Sequence, residues 1–242
     1  YDYQVLAFDM YEVWGGELDW LYGARGIFTF TNELWTSFNY FRKENKEGGW
    51  FGRRKETYRF DKLLLFEEGI VPWHIVQHPQ YGEVEIGGAK KSWTRTAPSF
   101  MIEDMCHRNM AFTLLHAYHL PQVEIDSVWV TELYGGLKQI DLKIRNDRLV
   151  PTRSFHEVNH KFTAPDFVKL TGKNAKAVAG FVVENELLNI AREQKFQPDK
   201  IKVETVPGME TVHVRWLVEG KGTVNILMDS EKGGKISKKL KI

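Results

Sequence analysis

Between Tyr11 and Leu34 the sequence reads YEVWGGELDWLYGARGIFTFTNEL, which gathers a carboxylate, phenols and a glycine-hinged loop into one short stretch. Gly15 and Gly16 stand side by side between Trp14 and Glu17, where a backbone can bend without a Cβ in the way. From Gly26 to Glu33 the residues alternate, which predicts a strand. Ile27, Thr29, Thr31 and Glu33 would share one face while Phe28 and Phe30 are buried on the other. Glu33 then closes the strand beside two threonines. A carboxylate presented in this way is a candidate general base when a water lies within hydrogen-bond reach.

Three other patterns invite a chemical reading. HEVNH at His156–His160 satisfies the H-E-x-x-H zinc pattern, with Glu157 in the position of a base. That pattern needs a sustained helix and a third ligand downstream, whereas Pro151 and Pro165 confine these residues to a short connection, so a short capped turn is expected. Glu83 and Glu85 would share a face of a short strand, Gly82 to Ile86, and paired carboxylates can serve a glycosidase. Acids two apart on one strand more often face solvent, and that is the expectation here. His107, His116 and His119 fall along one helix with no cysteine or carboxylate near enough in sequence to complete a metal set. No metal ligand is therefore assigned.

The Tyr11–Leu34 stretch resembles the active-site half of the zinc carboxypeptidases of the A and B type. The residues that carry the resemblance are Tyr11, Gly15 and Gly16, Asp19 and Trp20, Tyr22, Gly26 and Ile27, then Glu33 and Leu34, in register with the family pattern without a gap. A later element, HPQYGEVEIGG from His78, resembles one found in some bacterial members. The resemblance implies that Glu33 is the general base for a zinc-activated water and then the acid for the leaving amine. It implies that Tyr11 closes over the substrate and donates from its phenol. Substrate binding would fall to Leu18 and Thr31. Leu18, just before Asp19, would form the floor of the side-chain pocket and favour an apolar or aromatic terminal residue, although its neighbour Glu17 in that place would favour Lys or Arg. The family's zinc ligands, a His-x-x-Glu pair and a later His, lie upstream of the tyrosine loop. The chain is therefore expected to be the C-terminal part of a longer enzyme, missing the N-terminal part of the catalytic domain, acting on peptides or peptidoglycan stems, and secreted or periplasmic. By itself it is expected to bind no catalytic Zn2+ and to hydrolyse nothing. The alternative is a non-catalytic binding or structural module on the same fold.

The elements that must position these residues follow from pattern. Tyr3 to Met10 reads as a strand, and residues 42 to 57 as an exposed excursion. A short helix runs from Arg59 to Glu68 and stops at Gly69. Ser99 to His119 is the clearest helix, with Ile102, Met105, Cys106, Met110, Leu114 and Tyr118 at helical spacing between Pro98 and Pro121, and it is expected to pack on a sheet. After Pro121 short strands succeed one another: 124–132, 138–145, 167–170, 177–184, 200–204, 211–218, 223–229 and 235–242. Leu187 to Gln194 reads as a helical turn or two. The expected fold class is thus α/β, an incomplete carboxypeptidase-like mixed sheet with helices over residues 1–121, followed by an all-β Ig-like sandwich over 122–242.

With 242 residues and a formal charge of +1, the chain gives no electrostatic reason to expect nucleic acid or an acidic membrane as partner. No apolar run approaches the ~18 residues of a membrane span. The single cysteine, Cys106, rules out an internal disulfide.

Overall fold

The computed structural model describes residue 12, residues 14–32, 34–35, 54–92 and 96–242. Two compact units emerge: the described residues up to Phe30 together with Leu115–Ile242, and the described residues of Thr31–Leu114. The expected strand Tyr3 to Met10 and residues 42–53 lie outside the described residues.

Among the described residues the first unit is built on nine strands. Alternation decides its form, because successive side chains of a strand point to opposite faces and only one face of each sheet here is apolar. β3 (Val123–Glu132), β4 (Leu137–Asn146), β9 (Thr211–Gly220), β6 (Ala175–Asn185) and β7 (Ile190–Glu193) pair in that order into a five-stranded sheet. β11 (Gly234–Lys241), β10 (Thr223–Ser230), β5 (Asp166–Gly172) and β8 (Lys200–Val203) make a four-stranded one, and every pairing in both is antiparallel. Ile140, Leu142, Ile144, Val214, Trp216 and Val218 from one sheet meet Val168, Leu170, Ile201, Val224, Ile226 and Met228 from the other in a single buried cluster. This is a β-sandwich. Strands lie where alternation placed them, and β7 replaces the helical turns read over Leu187 to Gln194.

At the centre sits Trp216, fully buried, its indole Nε1 donating to the Pro198 carbonyl at 3.0 Å. Its partner across the β6–β9 ladder is Gly180, where a Cβ would fall 2.5 Å from the Pro198 oxygen and 3.0 Å from Ile201 Cγ1. The missing side chain is what lets the β8 connection approach.

The second unit holds α1 (Arg54–Leu64), the hairpin of β1 (Ile70–His78) and β2 (Gly82–Ala89), and the first part of α2 (Ser99–Tyr118). Phe60 and Phe112 are its largest buried apolar residues, and the Asp61 carboxylate accepts the Gly69 N–H at 2.7 Å just past the helix. Along its length α2 buries only Phe112, and Met110, Leu114 and Tyr118 are more than half exposed.

The α/β expectation is corrected by these pairings. Among the described residues the strands form three antiparallel sheets, with no mixed or parallel one, and the only sheet before residue 121 is the β1–β2 hairpin. The expected strand from Gly26 is an irregular segment through Asn32, preceded by a π-helical turn, Asp19–Ala24, and Phe28 and Phe30 are exposed rather than buried. A strand needs a neighbour's backbone to pair with. Here the Gly23 and Gly26 carbonyls are taken by side chains instead.

Trp216→Ala should lower unfolding free energy by about 3–5 kcal/mol, as expected for emptying a fully buried indole site. Urea denaturation of the chain followed by far-UV circular dichroism measures it.

Candidate functional site

Of the sequence-predicted site residues, Tyr11 and Glu33 lie outside the described residues. Leu18 is half-buried and stands immediately before the π-helical turn, whose Asp19 carboxylate accepts the Gly15 N–H at 2.7 Å. Thr31 is exposed, in the other compact unit.

What the structure does assemble around the motif is a docking of its Tyr22–Gly26 segment onto HEVNH. Residues Phe155–His160 form a short helix, α3, capped by Ser154: its hydroxyl accepts the Glu157 N–H while the Glu157 carboxylate accepts the Ser154 N–H. This reciprocal cap satisfies two of the helix's free donors. Ser154 Oγ then donates to the Gly26 carbonyl at 2.9 Å, His156 Nε2 donates to the Gly23 carbonyl at 2.8 Å, and the His156 ring stacks on Tyr22. Gly26 has a left-handed φ of +67°, and a Cβ there would fall 2.1 Å from Glu157 Cγ. Only glycine fits that contact.

Glu157 is wholly buried, and both of its carboxylate oxygens receive the Lys232 ammonium at 2.7 Å, with Thr163 Oγ1 donating as well. Burial pushes its carboxyl upward, but the Lys232 ammonium and the Ser154 N–H outweigh it and hold the group below its ordinary range. Arg153, also buried, binds the Glu204 carbonyl and carboxylate and the Thr163 carbonyl and hydroxyl, fixing the chain on either side of the helix. A base must be free to meet a substrate, and Glu157 is spent on a cap and an ion pair. His156 and His160 do share a face, rings 4.4 Å apart, but their neighbours are Tyr22 and Phe162 rather than a third ligand. The short capped turn is what the residues form.

A second polar cluster, spread over two strands and a turn, escaped the sequence reading. On the outward face of the five-stranded sheet Asp141, fully buried, accepts from His213 Nε2 and Arg215 Nε at 2.7 Å each, and from Gln139 at 2.6 Å. The other His213 nitrogen meets Glu186 at 3.0 Å, and Lys143 holds Glu186 at 2.9 Å. Burial raises the Asp141 carboxyl, yet the bonds from His213, Gln139 and Arg215 bring it below its ordinary value. Lys143 is the main cause of the lowering at Glu186. No serine, threonine or cysteine hydroxyl or thiol is bonded to His213 among the described residues, so the arrangement lacks a nucleophile. It joins β4, β9 and the β6–β7 turn. Asp141 and His213 are separated by 72 residues, and no local spacing signals them.

The remaining candidates resolve simply. Glu83 and Glu85 lie exposed on β2, and His78 accepts the Gln80 N–H at 3.2 Å in the hairpin turn. Among the described residues the buried His119 Nδ1 finds no hydrogen-bond partner, and His116 meets Phe30 edge to face. Among the described residues no group of three or more His, Cys, Asp or Glu is placed to hold a metal. No described helix is long and apolar enough to cross a membrane.

Residues 122–241 match the model of a family described as a domain of unknown function (DUF8731). No curated protein matches the chain. Two solved structures resemble about half of it. One is an apo PmoF2 PCuAC domain, 15% identical over 51% of this chain and 90% of its own, with a TM-score of 0.31. The other is DesR, a β-glucosidase from Streptomyces venezuelae in complex with D-glucose, 12% identical over 50% of this chain and 15% of its own, with a TM-score of 0.24. Likeness at this level carries no argument about function.

Asp141→Ala leaves His213 and Arg215 facing a vacated site, and should cost about 3 kcal/mol in urea unfolding, the low end for breaking a buried pair. Acid should act in the same direction. Asp141, Glu157 and Glu186 titrate lower in the fold than in the unfolded chain, so their contribution is whole above the ordinary carboxylate pKa of ~4 and is lost as pH falls through the folded values. Asp166, raised by burial, works with the opposite sign. Unfolding free energies measured between neutral pH and about pH 3 should fall, and less steeply in Asp141→Asn.

Proposed function

We propose that this protein removes C-terminal residues from peptides, with Glu33 as general base and Tyr11 as a hydrogen-bond donor to the substrate. One observation supports the reading: the positions from Tyr11 through Asp19, Trp20, Tyr22, Gly26 and Ile27 to Glu33 and Leu34 keep the order and spacing of the zinc carboxypeptidase pattern without a gap. In this reading Glu33 accepts a proton from the attacking water and returns it to the departing amine. Tyr11 steadies the peptide. Leu18 gives the side-chain pocket an apolar floor and Thr31 lines the substrate. Zinc supplies Lewis acidity in the family, but the described residues do not fit it, since none of them cluster as ligands. No step assigned to this chain passes through the metal.

A second reading, a binding or structural unit without turnover, is favoured by the sandwich itself. Its buried acids, Asp141 and Glu157, are fully engaged within the protein, and no nucleophile and base are paired there.

Hydrolysis of blocked dipeptides ending in Phe or in Lys by the complete gene product separates the two. The peptidase reading expects turnover with preference for Phe, and a loss of at least about a hundredfold in kcat for Glu33→Gln with KM little changed. Equal turnover by both forms removes Glu33 from the mechanism. No turnover by the unaltered protein leaves the binding reading.

A further inference from the structure

The outward face of the four-stranded sheet is lined with lysines. Register sets them in rows: Lys202, Phe167, Asp229 and Lys235 across one, Lys200, Lys169, Leu227 and Ser237 across the next, Thr171, Asn225 and Lys239 across a third, with Thr223 and Lys241 beyond. The opposite residues of the same strands, Val168, Leu170, Ile201, Val203, Val224, Ile226 and Met228, are buried in the core, so these must face outward. Six lysines stand there against one carboxylate within the strands, Asp229, which Lys235 engages at 3.0 Å, and a second, Glu204, just past β8. Lys202 is held by Glu204, and Lys200 lies 3.9 Å over the Phe167 ring. Among the described residues no carboxylate reaches Lys169, Lys239 or Lys241, all exposed. The chain as a whole carries only +1, so this face is a strongly one-sided concentration of charge.

We infer that this face binds a carboxylated polysaccharide. Lysines two apart on a strand stand about 6.6–6.8 Å from one another and neighbouring strands about 4.8 Å apart, which gives a two-dimensional array of cations rather than one pocket. Between the lysines stand hydroxyls and an amide, Thr171, Thr223, Ser237 and Asn225. A shallow depression of about 330 Å³ lies among them, lined by Thr171, Thr223, Asn225, Lys173 and Lys239. Sugar hydroxyls pair with such groups while the uronate carboxylates meet the ammonium ions. Other polyanions fit less well. The face has no arginine to grip phosphate in two-pronged fashion, and its one aromatic ring is covered by Lys200, which leaves no platform for base stacking. It also presents no large exposed apolar side chain to enter a bilayer, since its central Leu227 is half-buried.

Affinity electrophoresis and calorimetry of the whole chain with polygalacturonate test the inference. Binding should be present, weaken as salt is raised, and be absent for neutral dextran. Lys169→Gln/Lys239→Gln/Lys241→Gln should weaken it at least tenfold. Lys161→Gln/Lys176→Gln/Lys195→Gln, which removes the same charge elsewhere on the sandwich, should change it less than twofold. Unaltered circular dichroism spectra of both variants will show that the fold is kept. Absence of polygalacturonate binding overturns the inference, as does equal weakening by the two triples. Binding of duplex DNA or of phosphatidylserine vesicles as tight as that of polygalacturonate overturns it too. Peptide hydrolysis is not involved, so failure here leaves the peptidase reading untouched.

Discussion

The first unit rests on a two-residue period. Because one face of each sheet is apolar, burying Trp216, Ile140, Leu142, Ile144 and Val214 against Ile226, Met228, Val168 and Leu170 fixes the register of every ladder, since a slip of one residue would send that face to water. The same constraint sets the other faces. With Ile140 and Leu142 inside, Asp141 must lie outside; with Val214 inside, His213 and Arg215 must flank it, and Asp141 faces Arg215 directly across the ladder. On the second sheet it gathers the lysines of four strands on one side.

Polar interactions then do what apolar burial cannot, which is to choose single arrangements for the connections. Thr152 shows the economy of this: its hydroxyl donates to the Asp166 carboxylate and accepts the Val206 N–H at 2.8 Å, pinning two loops with one side chain. Asn146, fully buried, binds the Val150 carbonyl with its amide and accepts the Arg148 N–H at 3.1 Å. Val123 N–H donates to the Gly233 carbonyl and ties the start of one sheet to the last hairpin of the other. The Ser154–Glu157–Lys232 group is the most consequential, because it both caps α3 and holds the Gly23–Gly26 backbone. Buried ion pairs are expensive to desolvate, and such groups earn their place through the arrangement they specify.

The Tyr22–Gly26 segment and the sandwich therefore meet through glycines and carbonyls. Gly26, read as part of a family pattern, is required in this structure by its approach to Glu157, and HEVNH, read as a possible zinc pattern, receives that segment. Sequence patterns name residue types at a spacing. The same glycine can serve a turn beside a catalytic strand or a close contact beside a buried acid, and neighbours in space decide between them.

Strand positions from β3 to β11, β7 excepted, were readable from the chain because alternation and turn residues are local, as in EGKG before β10 and EKGG before β11. Helix α2 was readable for the same reason, and so was the capped turn at Ser154, bracketed by Pro151 and Pro165. That the described residues before 121 form no mixed sheet was not, since a regular alternation from Gly26 says that a strand could form but cannot supply its pairing partner. Pairing across 72 residues between Asp141 and His213, burial of Glu157 beneath Lys232, and collection of lysines into one charged face are decided only when strands are laid side by side. Period and turn chemistry act over a few residues along the chain, whereas charge meets charge across it, and only the tertiary structure brings those distant positions within reach.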